Sequence, residues 1–518
     1  MENSMRASPL VRGGATLVAC ALALAALGSA TGARAATRSV TNLNDSGPGS
    51  LRQAIADANP TGDTITFSVK GTITLTSGPL EIAKSLDIEG PGPNKLKISG
   101  NHASRVFVIL SGTVTLAGVT ITDGLADKNS PPPASIGGGV LSFTSLTLSN
   151  DVVSDNAAVG DAKASPFGQN GWGVGGGIAS FGTLRVTASQ FTGNLARGGD
   201  GSVGGGGAGL GAALGNFYAS ATITDSQFTG NVARGGSGST GVSAGIAFGG
   251  AIANAGALTV TGSTFSLNQA IGGNDNLDRS GSNHTNPGGG IGGAIYTGDA
   301  GTGTVTLDVR DSRFDHNQAI GGNGNLPGGN GAGGAILAIY GPVTISDCTL
   351  DHNEAVGGAG GSGANGGFAF GGGLLVANDF GTGSNATISN STVEHNKARG
   401  GPGGPGGNGG EGWGGGLNSD EGGVLTVIST TVEHNQAQGG QGGSGGKGGN
   451  GLGGGLYDDA TSTLNLVGAT VSYNLALGGG PGGQGIGGGV YRLGTFSFDP
   501  ATVIEKNQAS TSKDNIAP

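Results

Sequence analysis

The amino-acid sequence predicts an all-β fold, a parallel β-helix whose coils are similar to one another. Two observations predict it. A phrase of the type "FSLNQAIGG" (265–273) or "FDHNQAIGG" (314–322) occurs ten times, and its asparagines are 33 to 49 residues apart. Ahead of it stands a short stretch such as "LTVTGS" (258–263), in which aliphatic and polar residues alternate. A repeat of this length indicates a stack of coils, and alternation with period two indicates strands.

Composition agrees with a core that is narrow and repeated. Of the 518 residues 116 are Gly, while aromatic residues are 5% and charged residues 11%. No strict Gly-X-Y register runs along the chain, which excludes a collagen-like fold. The net charge is −10, with scattered Lys and Arg. Such a chain is a poor candidate for binding nucleic acid or an anionic membrane.

The first 35 residues predict a signal peptide. Arg6 and Arg12 precede the apolar run "ATLVACALALAAL" (15–27), and "ARA" (33–35) matches a cleavage site. A lipoprotein signal ending at Cys20 is the alternative, although the apolar run continues beyond that cysteine. After cleavage only Cys348 remains, so no intrachain disulfide is expected. No second apolar run is long enough to form a transmembrane segment.

Residues 36–125 predict an N-terminal cap followed by the first coils. In "GPGSLRQAIADANP" (47–60), Ser50 and Gln53 have capping-box spacing, and Pro60 ends the segment. A short amphipathic helix is therefore expected to cover the open end of the β-helix. The Gly-rich repeats occupy 126–510, and 511–518 is a C-terminal tail.

Within a repeat, a "GG[GA]" plus an aliphatic residue opens the coil, a strand follows, and the asparagine phrase comes next. The Phe, Leu or Val three residues before the asparagine is expected inside, and the asparagine in a turn where amides of successive coils stack. We interpret these asparagines as architecture and not as an active site. They are Asn156, Asn194, Asn231, Asn268, Asn317, Asn353, Asn396, Asn435, Asn474 and Asn507.

Gly-rich runs such as 400–416 and 439–455 have two interpretations. Gly-Gly-X triplets of nearly constant length fit ordered ribs of polyproline II type that stack side by side. Mobile loops, similar in length because the repeats arose recently from one another, are the alternative.

Two motifs resemble known surface proteins. The GGAI and FxxN pairing over 136–510 resembles the repeats of the polymorphic outer-membrane protein family, whose passengers are right-handed β-helix adhesins. "GSLRQAI" (49–55) resembles the Cys-Ser-Leu-Arg-Glu-Ala-Ile segment of bacterial surface β-helix proteins, with Gly49 and Gln53 departing from it. The resemblance implies a right-handed parallel β-helix with an adhesive role. Members of the first family end in an outer-membrane β-barrel, which is not evident here, so the mode of attachment is open.

Candidates for chemistry are few. Acidic residues cluster after the opening aliphatics of two neighbouring repeats, with one arginine in the next. Paired carboxylates could serve a glycoside hydrolase or, with Ca²⁺, a polysaccharide lyase, but solvated turn residues are the favoured interpretation. These weak catalytic candidates are Asp420, Glu421, Asp458, Asp459 and Arg492.

A second candidate is a series of acid–His pairs in four consecutive repeats. Such a series could bind a metal or form a pH-sensitive stripe. Other repeats carry Gly, Leu or Tyr in place of His, which favours variation at the surface. The weak metal candidates are His316, His352, His395 and His434.

The sequence therefore predicts an exported, extracellular or cell-surface protein that binds polysaccharide or a surface partner along its long face. A pectin-lyase-like polysaccharide lyase or glycoside hydrolase is the alternative. No cofactor is predicted. No RTX-type Asp pattern and no zinc-ligand spacing indicates a metal site. Binding of Ca²⁺ is possible but is not indicated by a motif.

Overall fold

The computed structural model describes residues 35–163, 171–202, 207–240, 245–276, 288–298, 305–324, 326–378 and 384–518. The predicted signal peptide and Cys20 fall outside these ranges, apart from Ala35. Every strand pairing in the described ranges is parallel, and each strand pairs with its equivalents one coil away. The predicted right-handed parallel β-helix is confirmed.

Four parallel sheets form the walls of the coil. We name them sheets A, B, C and D, in the order in which the chain meets them within a coil. Sheet A is the widest, because most coils contribute two strands to it. Its first strands are Thr37–Val40, Thr61–Phe67, Leu80–Ala83, Ser85–Glu89, Phe107–Ser111, Thr113–Ala117, Val140–Ser142, Ser145–Ser149, Ile178–Ser180, Leu184–Thr187, Leu214–Thr224 and Ile252–Thr261. Its later strands are Ile295–Thr297, Thr306–Arg310, Ile336–Ile339, Pro342–Ser346, Leu374–Ala377, Asn385–Ser389, Leu417–Asp420, Val424–Ile428, Leu456–Asp458, Thr463–Val467, Val490–Arg492, Thr495–Phe498 and Ile516–Ala517.

The other three sheets contain shorter strands. Sheet B contains Gly71–Thr74, Leu96–Ser99, Thr120–Thr122, Val152–Ser154, Gln190–Thr192, Gln227–Thr229, Thr264–Ser266, Arg313–Asp315, Thr349–Asp351, Thr392–Glu394, Thr431–Glu433, Thr470–Ser472 and Val503–Glu505. Sheet C contains Leu125–Ala126, Ala157–Val159, Leu195–Arg197, Val232–Arg234, Gln269–Ile271, Gln318–Ile320, Glu354–Val356, Lys397–Arg399, Gln436–Gln438, Leu475–Leu477 and Gln508–Ala509. Sheet D contains Gly173–Val174, Gly209–Leu210, Ala247–Phe248, Gly290–Ile291, Gly331–Ala332, Ala369–Phe370, Gly412–Trp413, Gly451–Leu452 and Gly485–Ile486.

The interior is filled by side chains that repeat from coil to coil. In sheet B the register pairs Phe228 with Phe265 and Phe265 with Phe314. Their rings stack with centroids 4.7 and 4.8 Å apart, which is the spacing of neighbouring strands. All members of this interior position are fully buried, as predicted: Phe191, Phe228, Phe265, Phe314, Leu350, Val393, Val432 and Val471.

The "GG[GA]" motif forms the sharp turn from sheet D into sheet A. Gly249 has a φ of 62°, in the left-handed region that favours glycine. At Gly250 a Cβ atom would lie 2.0 Å from the carbonyl oxygen of Gly293 in the next coil. The first glycine is thus required by conformation and the second by close packing of the coils.

The predicted N-terminal helix is present as Leu51–Asp57. The Ser50 side chain accepts a hydrogen bond from the Gln53 backbone N–H at 3.2 Å. The Gln53 side chain does not complete the capping box, because it donates to Asp57 at 2.8 Å. Leu51 and Ile55 are buried against the core, so the helix covers the first coil.

The ten repeated asparagines form a continuous ladder at the turn between sheets B and C. Each Nδ2 donates to the Oδ1 of the next asparagine at 2.9–3.0 Å. That Oδ1 also accepts the backbone N–H of the same donor residue at 2.9–3.2 Å. Every member is buried, so the amides satisfy one another where water does not reach.

The Gly-rich runs 400–412 and 439–451 are ordered ribs. Gly401 N–H donates to the Gly367 carbonyl of the preceding coil at 2.8 Å, and Gly403 N–H donates to Gln441 of the following coil at 2.8 Å. At Gly443 a Cβ atom would lie 1.8 Å from the Gly404 carbonyl oxygen. At such contacts the ribs pack so closely that only glycine fits, in agreement with the stacked-rib interpretation.

Cys348 stands at a position that Ser occupies in neighbouring coils. Its backbone N–H donates to the Ser391 hydroxyl at 3.1 Å, and its thiol lies 3.1 Å from the Ser346 carbonyl oxygen. The residue is buried, and burial raises the pKa of its thiol to about 11. Cys348 is therefore a small interior residue with little thiolate character.

Candidate functional site

A line of residues in the left-handed conformation runs along the outside of the asparagine ladder. Each immediately precedes a ladder asparagine, and its positive φ turns the chain from sheet B toward sheet C. In the middle coils four of them are histidines with φ between 53° and 55°. The line consists of Asp155, Gly193, Gly230, Leu267, His316, His352, His395, His434, Tyr473 and Lys506.

The four histidines stack face to face. The His316 and His352 rings are 4.8 Å apart, the His352 and His395 rings 4.6 Å, and the His395 and His434 rings 5.2 Å. Tyr473 continues the stack 5.2 Å from His434. Because the rings cover one another's faces, they present their edges to solvent.

Carboxylates of sheet B stand beside this stack. The His316 Nδ1 is 3.1 Å from Asp315, and the His352 Nδ1 is 2.5 Å from the Asp351 Oδ1. Asp351 also approaches the His395 Nδ1, at 3.4 Å. Arg313 donates to both carboxylates, to Asp315 at 2.9 Å and to Asp351 at 2.6 Å.

The pKa of the Asp351 carboxyl reflects these contacts. Partial burial would raise this pKa, but the hydrogen bonds and positive charge of Arg313 and the contact with His352 lower it below its usual range. Asp351 is therefore anionic at neutral pH and faces two imidazoles at once.

Side chains of sheet C form a second polar line parallel to the histidines. Gln269 Nε2 donates to Gln318 Oε1 at 2.8 Å, and Gln318 Nε2 donates to Glu354 Oε2 at 3.4 Å. Arg399 Nε donates to Glu354 Oε1 at 3.2 Å. This line runs directly beside the asparagine ladder, since each of its first members follows a ladder asparagine.

Between the two lines lies a shallow cleft of about 360 Å³, which we call the axial groove. Its walls offer imidazole, amide and carboxylate groups, with one exposed aliphatic residue, Leu267. Such groups bind hydroxyls by hydrogen bonds. The groove is lined by Gly230, Val232, Leu267, Gln269, His316, Gln318, His352 and Glu354.

The acidic candidates at the far end of sheet A lie in two neighbouring coils, and three of them come together. Asp420 hydrogen-bonds to Asp459 of the next coil, and the Glu421 backbone N–H donates to Asp420 Oδ1 at 3.0 Å. Burial, followed by the charges of Asp459 and Glu421, raises the pKa of Asp420 well above its usual range. Asp459 also accepts hydrogen bonds from Thr461 N–H at 2.8 Å and from the Ser462 hydroxyl at 2.6 Å, which stabilise its own turn.

Asp458 is not the solvated turn residue that the sequence favoured. It lies in the strand Leu456–Asp458 and is fully buried, in register with Ser419 of the preceding coil, which is also fully buried. Burial and the negative charge of Asp459 raise the pKa of Asp458 to about 7. The backbone N–H of Gly494 and the positive charge of Arg492 act in the opposite direction but do not offset this rise. Arg492 is paired in register with Asp458 but is exposed and lies over the Phe496 ring. A buried carboxyl of this kind cannot contact a polymer on the surface.

Aromatic residues beside the acidic cluster were missed from the sequence. The Trp413 and Tyr457 rings are 4.9 Å apart and the Tyr457 and Tyr491 rings 5.6 Å, all nearly parallel. Trp413 Nε1 donates to Glu411 at 2.8 Å. Because Tyr457 lies between Trp413 and Tyr491, neither face of its ring is available to a sugar ring.

The sequence placed the histidines correctly next to one another but did not identify the opposite wall of the groove. The signal for that wall is the polar residue directly after each ladder asparagine, as in Asn268-Gln269, Asn317-Gln318 and Asn353-Glu354. It is recognisable once the asparagine is known to be buried, since its neighbours in the chain must then flank it.

Two sets of side chains in the described ranges could hold a metal ion, and both belong to the histidine line. One set is Asp315, His316 and His352, and the other is Asp351, His352 and His395; in each, the ligand atoms lie within 4.8 Å of one another. His434 is in neither set. Among the described residues, no helix has the length and apolar character that a membrane crossing requires.

No protein-family model and no curated protein matches the chain. Among solved structures, it is similar to a mannuronic acid specific polysaccharide family 6 lyase from human gut microbiota, with 11% identity over 83% of this chain and 86% of the lyase at a TM-score of 0.36. It is also similar to a GH87 α-1,3-glucanase catalytic unit from Streptomyces thermodiastaticus, with 13% identity over 96% of this chain and 71% of the glucanase at a TM-score of 0.36. Pectate lyase Pel9A has 12% identity over 91% of this chain and 79% of the lyase, at a TM-score of 0.29. Because these identities and TM-scores are low, neither an activity nor a substrate can be transferred to this chain from the similar structures.

Proposed function

We propose that this protein is an exported β-helix with an adhesive or structural role, which binds a neutral polysaccharide in the axial groove. The observation that carries the proposal is the pair of parallel polar lines beside the asparagine ladder. Polar groups recur in successive coils at Gln269, Gln318 and Glu354, and neighbouring coils are about 4.8 Å apart. A polymer with hydroxyls on each unit can therefore hydrogen-bond to successive coils.

The balance of charge in the groove supports a neutral polymer over an acidic one. Glu354, Asp351 and Asp315 lie in or beside the groove and two arginines pair with them, so the groove offers no excess of positive charge to the carboxylates of a uronate polymer. Amides such as Gln269 and Gln318 both donate and accept hydrogen bonds, as sugar hydroxyls require. Binding would be shallow, because the groove is open along its length.

Location at the cell surface is part of the same proposal. It is supported by the signal-peptide pattern of residues 1–35 and by the resemblance of the repeats to those of polymorphic outer-membrane proteins. We extend the resemblance to a role in adhesion, with polysaccharide as the partner.

Affinity electrophoresis of the mature protein against neutral and acidic polysaccharides tests the proposal. The double variant Gln269→Ala, Gln318→Ala should reduce retention by a neutral polysaccharide at least tenfold. The matched control is Thr344→Ala, Thr387→Ala, on the outer face of sheet A, which should retain full binding. Both variants should melt like the parent. Equal retention of the groove and control variants would show that the polymer does not bind in the axial groove.

A glycoside hydrolase or polysaccharide lyase is the second candidate function. The hydrogen-bonded carboxyl pair of Asp420 and Asp459 favours it, because the pKa of Asp420 is raised and a carboxyl with a raised pKa can act as a general acid. The double variant Asp420→Asn, Asp459→Asn would then abolish the release of reducing ends or unsaturated products. If the parent releases neither product from any polysaccharide of the panel, the binding role alone stands.

A further inference from the structure

We propose that Asp351, His352 and His395 form a binding site for a divalent transition-metal ion of the zinc class. The inference goes beyond polysaccharide binding. The Asp351 Oδ1 lies 2.5 Å from the His352 Nδ1 and 3.4 Å from the His395 Nδ1. Imidazole and carboxylate together are ligands that suit Zn²⁺, Ni²⁺ and Cu²⁺.

Two of the three separations between the ligand atoms are close to those that a metal requires. Zinc binds imidazole nitrogen and carboxylate oxygen at about 2.0–2.2 Å, so two ligand atoms of a tetrahedral site are about 3.3 Å apart. The contact between Asp351 and His395, at 3.4 Å, already has this separation. The contact between Asp351 and His352 must lengthen by less than about 1 Å. The two imidazole rings, stacked with centroids 4.6 Å apart and 13° between their planes, must tilt so that both nitrogens point toward the ion.

Backbone and neighbouring side chains hold the ligands in place before any ion binds. His352 and His395 have φ of 53° and 54°, and their N–H groups donate to Glu394 and Glu433 in the next coils. Arg313 donates to the Asp351 Oδ2 at 2.6 Å, which leaves Oδ1 facing the two rings. Second contacts of this kind orient metal ligands and are part of most protein metal sites.

The site is open on its outer side. The Asp351 side chain is 12% exposed, whereas the His352 and His395 side chains are 46% and 43% exposed. Three protein ligands with solvent beyond them leave a coordination position for water or another ligand. The second set, Asp315 with His316, shares His352, and we therefore expect one ion per chain.

Calorimetric titration of the full, untagged, metal-stripped chain with Zn²⁺ tests the site, with Co²⁺ absorption as a second readout of the ligand geometry. The parent should bind one equivalent. The variant His352→Asn, His395→Asn should bind at least tenfold more weakly, and asparagine is chosen because it tolerates the left-handed conformation. The control His434→Asn, in the same line but outside both sets, should bind like the parent.

Thermal melting separates loss of the site from loss of the fold. The parent should melt at a higher temperature with Zn²⁺ than without it, because the ion binds only the folded chain. Without metal, the double variant should melt within about 2 °C of the parent, because the substituted side chains are largely exposed. If the parent binds no Zn²⁺, or if the double variant binds it as tightly as the parent, the proposal is wrong.

Discussion

Asn268 donates two hydrogen bonds to one atom of Asn317, from Nδ2 at 2.9 Å and from its backbone N–H at 3.1 Å to Oδ1. Asn317 in turn donates from Nδ2 to the Phe265 carbonyl at 2.9 Å and to Asn353 Oδ1 at 2.9 Å. One side chain therefore joins three successive coils. Only asparagine and glutamine carry a side-chain amide, which has a donor and an acceptor in one plane. Asparagine is the shorter of the two by one methylene group.

Asn317→Ala should lower the free energy of unfolding by on the order of 1–3 kcal/mol, because the buried backbone N–H of Asn268 loses its acceptor and the Phe265 carbonyl loses the Nδ2 donor. Urea denaturation measures the change. The control is Asn385→Ala, at an exposed strand residue outside the ladder. Polysaccharide retention, measured below the unfolding transition, should be unchanged. Unchanged stability together with lost binding would show that the ladder is itself a binding surface.

Phe228→Ala should destabilise the protein by about 3–5 kcal/mol, since it removes a ring that is stacked on both sides and leaves a cavity. Phe228→Leu should cost less than about 1.5 kcal/mol, because Leu350 fills the same interior position further along the stack. Thermal and urea unfolding of both variants provide the comparison. Equal costs for Leu and Ala would mean that ring stacking, and not filled volume, stabilises this line.

Gly443→Ala should disrupt its rib, because the new methyl group would lie 1.8 Å from the Gly404 carbonyl oxygen. Gly324→Ala is the matched control in another Gly-rich run, where the nearest atom to a Cβ is 3.7 Å away. Limited proteolysis should leave 400–412 and 439–451 uncut in the parent and the control, and should cut them in Gly443→Ala. Equal resistance of the two variants would contradict close packing of the ribs.

Asp458 should make stability depend on pH. Its pKa is about 7 in the folded chain and about 3.9 when unfolded, so the folded state keeps a proton that the unfolded state releases. Its contribution is complete below about pH 4 and is lost as the pH rises through 7. In the parent, the raised pKa of Asp458 should lower the free energy of unfolding by on the order of 2–4 kcal/mol as the pH rises from about 4 to about 8. Asp458→Asn should remove this decline.

Urea denaturation of the parent and of Asp458→Asn at several pH values within that interval measures this difference. The exposed Asp87→Asn serves as the control. Asp151 and Asp420 also have raised pKa values caused by burial, so the parent and variant must be compared directly. Identical slopes of stability against pH would show that Asp458 is not protonated in the folded chain.

The sequence was sufficient for the fold because each coil repeats the same local rules. Alternation such as Leu258-Thr259-Val260 assigns one side of a strand to the interior, and the recurrence of Phe, Leu or Val three residues before the asparagine sets the register. Ser50 marked the start of the cap helix, and Leu51–Asp57 is the helix that follows it. These signals are local or periodic and do not depend on contacts between distant parts of the chain.

The candidate site was harder to predict from the sequence than the fold, because it depends on the direction in which single side chains point. Asp458 and Asp459 are adjacent in the chain, yet one is buried and the other partly exposed. Gln318 and Glu354 gain their role only from the line that they form across coils. Periodicity identifies which residues share a line, but the depth of burial at a corner depends on the bend of the backbone there.

Each coil within the asparagine ladder makes the same asparagine contacts with the coil before it and the coil after it. Whole coils are consequently interchangeable units, and their number is set by the gene and not by the geometry of the fold. Deletion of residues 397–435 would join Asn396 to Gln436, which already lies in register beside Lys397. The shortened chain would lose about 4.8 Å of axial length and would keep every remaining class of contact, so that the reach of this protein can change without any change in how it folds.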